Sequence, residues 1–192
     1  MRRYGKPLCI VLALLAAGCA GRQFVKPPSE ALVLGRTSYG EITKQLGEPQ
    51  QQLDFVKNGH SLKGIAYRYI TAFGRPNVYP AREMRVFFLN DVLVGYDYTS
   101  SYLEDKTDFE EDHVYRIQKG ETTKGQVMQL LGTPGGTYMY PMVSNKTETG
   151  LVYRYFKTEH QPFQGLRIRD KLLIVSLDSA DHVAGVEFIG GK

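Results

Sequence analysis

One cysteine near the start of the chain stands where a thiol is expected to be modified. Cys19 follows the small residues 16–18, which end an apolar stretch over 8–17. The basic stretch 1–6 comes first, and the three parts together form the pattern of an export signal. The apolar stretch has about half of the ~20 residues that a membrane-spanning helix needs. Because the thiolate is a strong nucleophile, the expected chemistry is covalent modification of the Cys19 sulfur.

The residues around Cys19 resemble a bacterial lipobox. The resemblance implies a signal peptide over 1–18, cleavage between Gly18 and Cys19, and lipid (palmitate) on the sulfur and amino group of Cys19. Residues 19–28 would then form a lipidated tether. Ala20, where an aspartate would retain a lipoprotein at the inner membrane, implies the periplasmic face of the outer membrane. An ordinary signal peptide with an incidental cysteine is the alternative.

The charge balance disfavours a nucleic-acid partner. The chain has 24 basic and 20 acidic residues, and its pI is near 9. Three of the basic residues lie in the stretch 1–6, so a processed chain would keep 21 against 20 acids. Phosphate binding needs a clustered excess of Lys and Arg. Cys9 and Cys19 are the only cysteines, and neither would be available for a disulfide, so the hydrophobic core must stabilise the fold.

The chain contains an internal repeat. Residues 35–49 return at 120–134 with the same or similar residues at the Gly, Thr, Gly, Glu/Gln, Ile/Val, Leu-Gly and Pro positions. Two further pairs of segments follow in register, 64–70 with 150–156 and 94–98 with 184–188. The offset drifts from about 85 to about 90 residues, as loop insertions produce. We interpret the pattern as a tandem duplication.

Each copy of the first segment predicts a helix. Ser38 with Glu41, and Thr123 with Gln126, have the spacing of a capping box at a helix N-terminus. An apolar stripe follows in each copy, and a glycine and a proline then end the helix. A second short helix is expected before each of these, over 29–34 and over 108–118.

Runs rich in aromatic and β-branched residues follow the helices and predict strands. These runs are 63–71, 83–90, 92–98, 137–143, 150–158, 170–178 and 182–189. The predicted fold class is therefore α+β: two tandem helix-helix-antiparallel-sheet repeats, with helices packed on one face of the sheets. The first repeat would cover 29–103 and the second 104–192.

The repeated pattern Gly-x-Thr, then Ile/Val and Leu-Gly-x-Pro, followed by an aromatic strand, resembles the SmpA/OmlA (BamE-like) family of outer-membrane lipoproteins. The resemblance covers nearly the whole processed chain, twice, whereas the family member of the β-barrel assembly machinery carries one such unit. Two tandem units resemble instead the secreted β-lactamase inhibitory proteins, which hold an enzyme against a sheet. Both resemblances imply a protein partner.

Nothing in the residue pattern indicates catalysis, a metal site or a cofactor. The four histidines are far apart in the chain and lack metal-ligand spacing. The acidic run over 104–112 lacks the ligand pattern and glycine of a calcium loop. No nucleophile elbow or P-loop is present in the sequence. We expect a protein that is not an enzyme and binds no cofactor, small-molecule substrate or nucleic acid.

The strands and two of their loops predict a docking surface. Tyr67 and Tyr69 share one strand face, as do Tyr153 and Tyr155, which suggests a tyrosine-rich face that packs or binds. The loops 71–80 and 159–165 combine aromatic, proline and arginine residues, which are types common in interface hot spots. The candidate partner-binding residues are Phe73, Arg75, Tyr79, Phe163 and Arg167. Long loops of this kind are also commonly variable and without function.

Two functions are therefore open. The first is a non-enzymatic, lipid-anchored adaptor or scaffold in envelope assembly or integrity, with an envelope protein of unknown identity as its partner. The second is a proteinaceous enzyme inhibitor. Co-purification with a barrel-assembly complex would favour the adaptor, and the absence of lipid would favour the inhibitor.

Overall fold

The computed structural model of the chain describes residues 21–71, 78–161 and 165–190. Within these ranges nine strands form one antiparallel sheet. The strands are β1 (Gln51–Lys57), β2 (His60–Ile70), β3 (Val78–Tyr79), β4 (Ala81–Leu89), β5 (Val92–Ser100), β6 (Gly136–Met139), β7 (Thr149–Gln161), β8 (Gly165–Leu177) and β9 (Val183–Gly190).

The helices are short. They are α1 (Tyr39–Leu46), α2 (Glu111–Val114) and α3 (Lys124–Leu131), with a 3₁₀ turn at Ser29–Ala31. Across the described ranges, no helix is both long enough and apolar enough to cross a bilayer.

The predicted fold of two tandem helix-helix-sheet repeats is wrong. The strands form a single sheet in the order β1-β2-β4-β5-β6-β7-β8-β9, and β3 pairs with β7 outside this path. The short strand β6 connects the strands of the two predicted repeats. Gly95 and Tyr96 of β5 pair with β6 on one side, and β7 pairs with it on the other. Two separate sheets would each leave a strand edge with unpaired backbone groups at this boundary. Pairing through β6 removes those edges and therefore favours a single sheet. The chain is mostly sheet, with little helix.

The second helix expected in each half is reduced to a single turn. In the segment 29–34 only Ser29–Ala31 is helical, and no side chain caps it. In the segment 108–118 only α2 is helical, and again no side chain caps it. Asp108, the first residue of the segment 108–118, does not cap this helix, because its carboxylate binds Lys106 and Lys171, each at 2.7 Å. Without a capping side chain, the first backbone N–H groups of a helix have no hydrogen-bond acceptor within the helix. The full expected helices over 29–34 and 108–118 are therefore not favoured.

The capping boxes are confirmed. Ser38 accepts a hydrogen bond from the backbone of Glu41, whose side chain accepts one from the backbone N–H of Ser38 at 2.8 Å. Thr123 and Gln126 form the same pair at the start of α3. Gly47 ends α1 with a φ of 82°, a left-handed conformation that glycine adopts without strain.

The two faces of the sheet differ in what covers them. One, here called the helix face, packs against α1 through a buried cluster that includes Ile42, Leu46 and Met84. A second cluster on the same face packs α2 and α3 against β7 and β8, and includes Val127 and Leu131. The other face, here called the open face, carries no helix within the described residues. Its own smaller cluster involves the segment 138–143.

The tyrosines expected to form a docking face lie mainly on the helix face. Tyr67 and Tyr153 are buried, and their hydroxyls donate hydrogen bonds to the carbonyl oxygens of Gly47 and Gly132, at 2.8 and 3.0 Å. Each tyrosine therefore ties the end of one helix to the sheet. Burial raises the pKa of both hydroxyls to about 12, so they remain donors at neutral pH.

Candidate docking surface on the open face

Most of the predicted site residues lie outside the described part of the chain. This applies to Gly18, Cys19, Phe73, Arg75 and Phe163. The backbone of Arg167 is described in β8, where it pairs with Glu159 of β7. Tyr79 is half-buried and pairs through β3 with Thr158 of β7.

The structure nevertheless brings the two predicted loops together. β3 comes at the end of the first loop and pairs with the last residues of β7, while β8 pairs with β7 from its other side. Residues 78–79 at the end of the first loop therefore pair with a strand of the far half of the sheet. Sequence reasoning did not predict β3, since two residues give no alternating pattern.

A cluster of charged side chains lies on the open face at the centre of the sheet. Glu83 of β4 and Asp97 of β5 are buried. Arg154 of β7 reaches Glu83 Oε1 through its Nη1 at 2.5 Å, and Arg68 of β2 donates to Glu83 Oε2 through its Nε at 2.6 Å. Arg85 donates to Asp97 Oδ1 through its Nε at 2.9 Å. We call these five residues the charge cluster.

Both carboxylates of the charge cluster have charged or hydroxyl partners. Burial would raise the pKa of the Glu83 carboxyl, but Arg154 and Arg68 more than offset it, and the pKa lies below its usual value. The hydroxyl of Tyr138 donates to Asp97 Oδ2 at 2.5 Å. Burial, and then the Asp97 charge, raises the pKa of Tyr138 well above its ordinary value, so the phenol stays protonated. Buried charges need partners of this kind.

The solvent-exposed part of the charge cluster is positively charged. The side chain of Glu83 is 3% exposed, whereas that of Arg68 is 44% exposed. Asp97 is fully buried, and its partner Arg85 is partly exposed. A molecule approaching the open face therefore meets guanidinium groups before it meets carboxylates. Asp170, half-exposed at the margin, lies 3.6 Å from Arg154.

Apolar side chains flank the charge cluster on both sides. On the β1 side, Leu53 is 66% exposed, and the half-buried rings of Phe55 and Phe87 meet edge to face at 5.9 Å. On the other side, half-buried Leu172 of β8 pairs with exposed Ile189 of β9. Arginine and aromatic side chains are enriched in protein-binding hot spots, and neighbouring apolar groups exclude water from them.

One part of the open face is covered by the chain itself. The segment 140–143 folds over the sheet, and buried Met142 and Val143 pack with Val152 and Ile174. The side-chain amide of Asn58 holds this segment by donating to the carbonyls of residues 141 and 143, at 2.9 Å each. The charge cluster and its apolar flanks remain uncovered by this segment.

Among the described residues, no group of three or more His, Cys, Asp or Glu side chains is placed to hold a metal ion. The acidic run has a structural role instead. Asp108 and Glu111 line a cavity of about 170 Å³ together with Lys106, Lys171 and Tyr155. Burial would raise the pKa of Asp108, but its hydrogen bonds to the two lysines lower it overall.

Sequence reasoning did not identify the charge cluster. Arg68 and Arg154 occupy equivalent positions of the repeat, each between two tyrosines of one strand, so strand alternation predicts that they point away from the tyrosines, as the structure has them. Glu83 and Asp97 were not singled out. A signal was available for Asp97, because it lies between two tyrosines inside a strand, and an acid at such a position needs a cationic partner.

Comparison with known proteins leaves the family open. No family model matches this chain, and no curated protein matches it. Among solved structures, a Streptococcus mutans protein provisionally assigned as a β-lactamase inhibitor protein is similar, with 8% sequence identity and a TM-score of 0.42. The match covers 84% of this chain and 91% of the other. At this identity and score the likeness assigns neither a fold nor a function.

Proposed function

We propose that this protein is a lipoprotein of the bacterial outer membrane that faces the periplasm and binds another envelope protein through the open face of its sheet. It acts as a non-enzymatic adaptor or scaffold in envelope assembly or integrity. The observation that carries the proposal is the charge cluster, which buries both of its carboxylates and leaves arginine exposed between two apolar flanks.

The composition of this surface supports a protein partner over a small molecule. Arginine and aromatic groups supply most of the binding energy at protein interfaces, and they do so where neighbouring apolar groups exclude water. Exposed Arg68 lies on the open face, and so do Phe87 and exposed Leu53, which are separated from each other by Gly64 of β2. We therefore expect the partner to present a carboxylate surrounded by apolar side chains, because that chemistry complements the exposed guanidinium groups.

The membrane anchor rests on the sequence around Cys19. Lipidation at Cys19 would hold the protein at the membrane, and Ala20 favours sorting to the outer membrane. Membership of the SmpA/OmlA family is part of the same proposal and rests on the repeated Gly-Thr and Leu-Gly-x-Pro pattern. An inhibitor of an envelope or secreted enzyme would use the same open face, so the identity of the partner distinguishes the two functions.

The open face can be tested with a matched pair of positions on one strand. Leu53 and Val56 both lie on β1, are 66% and 74% exposed, and point to opposite faces. A photoreactive amino acid at position 53 should crosslink the lipidated protein to its partner in intact cells, and one at position 56 should not. Mass spectrometry then identifies the crosslinked protein.

The purified partner provides the second half of the test. Arg68→Gln should weaken its binding roughly tenfold or more, as loss of an interface arginine does, whereas Val56→Ser should leave binding unchanged. A barrel-assembly component as partner supports the adaptor, and a hydrolase that loses activity on binding supports the inhibitor. Equal crosslinking from positions 53 and 56, or none from either, would reject the open face as the docking surface.

A further inference from the structure

The described chain begins with a segment that is fixed to one end of the sheet. Gly21 forms an antiparallel bridge with Tyr69 near the end of β2. Three residues later Phe24 is buried, with its ring centroid 6.2 Å from that of Tyr67 and 6.3 Å from that of Tyr98. The path of the chain from Gly21 to Phe24 is therefore set by the folded domain.

The bridge leaves very little free chain before it. Cys19 is two residues from Gly21, and two residues span at most about 7 Å. Lipid on Cys19 lies in the membrane, so this short link would hold the bridged end of the sheet at the bilayer surface. This step rests on the proposed lipid anchor.

We infer that this end of the sheet, here called the anchor end, lies on the bilayer that holds the Cys19 lipid. We define the anchor end by Gly21, Tyr69, Arg82, Tyr102 and Leu103. The strands then run away from the membrane, and the open face stands beside it, accessible to a partner in the periplasm.

The side chains at the anchor end suit the interface between water and lipid. The rings of Tyr69 and Tyr102 stack with centroids 6.2 Å apart, and the guanidinium of Arg82 lies 4.3 Å from the Tyr102 ring. Leu103 follows directly and is 74% exposed. The Tyr102 hydroxyl is buried, so the group that can enter the bilayer is exposed Leu103, since apolar side chains insert among acyl chains.

The N-terminal segment presents a second apolar group in the same region. Val25 is 83% exposed, between buried Phe24 and Lys26, whose ammonium lies 5.4 Å from the Tyr98 ring centroid. The hydroxyl of Tyr98 donates to Asp105 at 2.5 Å. Tyr98 thus contacts both the N-terminal segment and the loop that carries Leu103, so we expect Val25 and Leu103 to approach the bilayer together.

The charges in this region balance. Arg82 and Lys26 are matched by the carboxylates of Glu104 and Asp105, both of which bind Arg82 at 2.8 Å. Insertion of apolar side chains next to the lipid anchor should therefore depend little on the content of anionic lipid in the membrane.

The opposite end of the sheet provides a control. The turn between β4 and β5 contains Asp91, and β4 has nine residues. At about 3.3 Å per residue this turn lies about 30 Å from the anchor end. A probe there should remain in water.

Site-specific fluorescence in the lipidated full chain tests the inference. Cys9 leaves with the signal peptide and the lipid blocks Cys19, so one introduced cysteine is the only reactive thiol. Leu103→Cys, Val25→Cys and Asp91→Cys are each labelled with an environment-sensitive dye and reconstituted in phosphatidylethanolamine vesicles. Doxyl lipids should quench the dye at positions 103 and 25 several-fold more than at 91. Adding phosphatidylglycerol should not change this difference.

The possible results distinguish the proposed lipid anchor from the proposed orientation of the sheet at the bilayer. Equal quenching at positions 103 and 91, in protein that floats with the vesicles and carries acyl mass, would overturn the orientation and leave the lipoprotein intact. Protein without acyl mass would overturn the lipoprotein and the orientation with it. A flexible insertion between Ala20 and Gly21 should lower the quenching at position 103 without loss of flotation. Unchanged quenching after the insertion would show that the short link does not set the orientation.

Discussion

Arg68 and Arg154 bind the two oxygens of one carboxylate, that of Glu83. They occupy equivalent positions in the sequence repeat, yet they lie on β2 and β7, strands that do not pair with each other. Arg68 sits directly across from Glu83 on β4, whereas Arg154 sits across from Leu172 on β8. In its own half Arg154 has only the half-exposed carboxylate of Asp170, at 3.6 Å, and it reaches across β5 to buried Glu83. This contact favours one continuous sheet, because the two halves share the neutralisation of one buried charge.

Removal of Arg154 should therefore destabilise the protein more than removal of Arg68. Arg154→Met leaves one oxygen of buried Glu83 without its cation, and we expect a loss of about 3 kcal/mol in the free energy of unfolding. Arg68→Met removes a more exposed partner and should cost about 1 kcal/mol or less. Urea unfolding of the chain from residue 21 onward measures both. Equal losses would show that Arg154 does not hold the two halves together.

The charge cluster should also make stability depend on pH. The pKa of Glu83 is lowered in the folded protein, because the two arginines outweigh the effect of burial. The unfolded protein thus binds the proton more tightly. The contribution of Glu83 to stability is complete above about pH 5 and is lost as the pH falls through the lowered pKa. Unfolding free energies measured between about pH 3 and pH 6 should fall more steeply for the wild type than for Glu83→Gln. If the unfolding free energies of the wild type and Glu83→Gln changed equally with pH, Glu83 would not be the source of this pH dependence.

The tyrosine bonds at the helix ends should contribute equally in the two halves. Tyr67→Phe and Tyr153→Phe each remove one hydrogen bond to a helix-terminal carbonyl and keep the ring in the core. Each should cost about 1 kcal/mol, and the double variant should lose about the sum because the sites share no partner. Thermal or urea melts provide the values. Near-zero loss at both sites would mean that water replaces the tyrosine hydroxyl.

The lipid anchor has a direct chemical test. Cys19→Ser replaces the thiol with a hydroxyl that is a poor acceptor, so the variant should remain unprocessed or be mislocalised. Radiolabelled palmitate should enter the wild-type protein and not the variant. Equal incorporation in both would rule out Cys19 as the site of lipid attachment.

The sequence by itself determined the local elements of this protein. The capping boxes of Ser38 and Thr123 and the glycine that ends each helix depend on residues within a few positions of one another, and the structure has them as predicted. Most of the longer strands were also predicted, because their aromatic and β-branched residues mark them. β1 was missed because its residues are largely polar or exposed, as suits an edge strand.

Only the tertiary structure decided how these elements combine. Whether two similar halves remain separate or join depends on strand edges and buried charges whose partners are distant in the chain. Arg154 and Glu83 are 71 residues apart, and β6 joins strands from both halves with only four residues. No local pattern encodes such pairings, because the stabilisation arises only when both partners are desolvated at the same place.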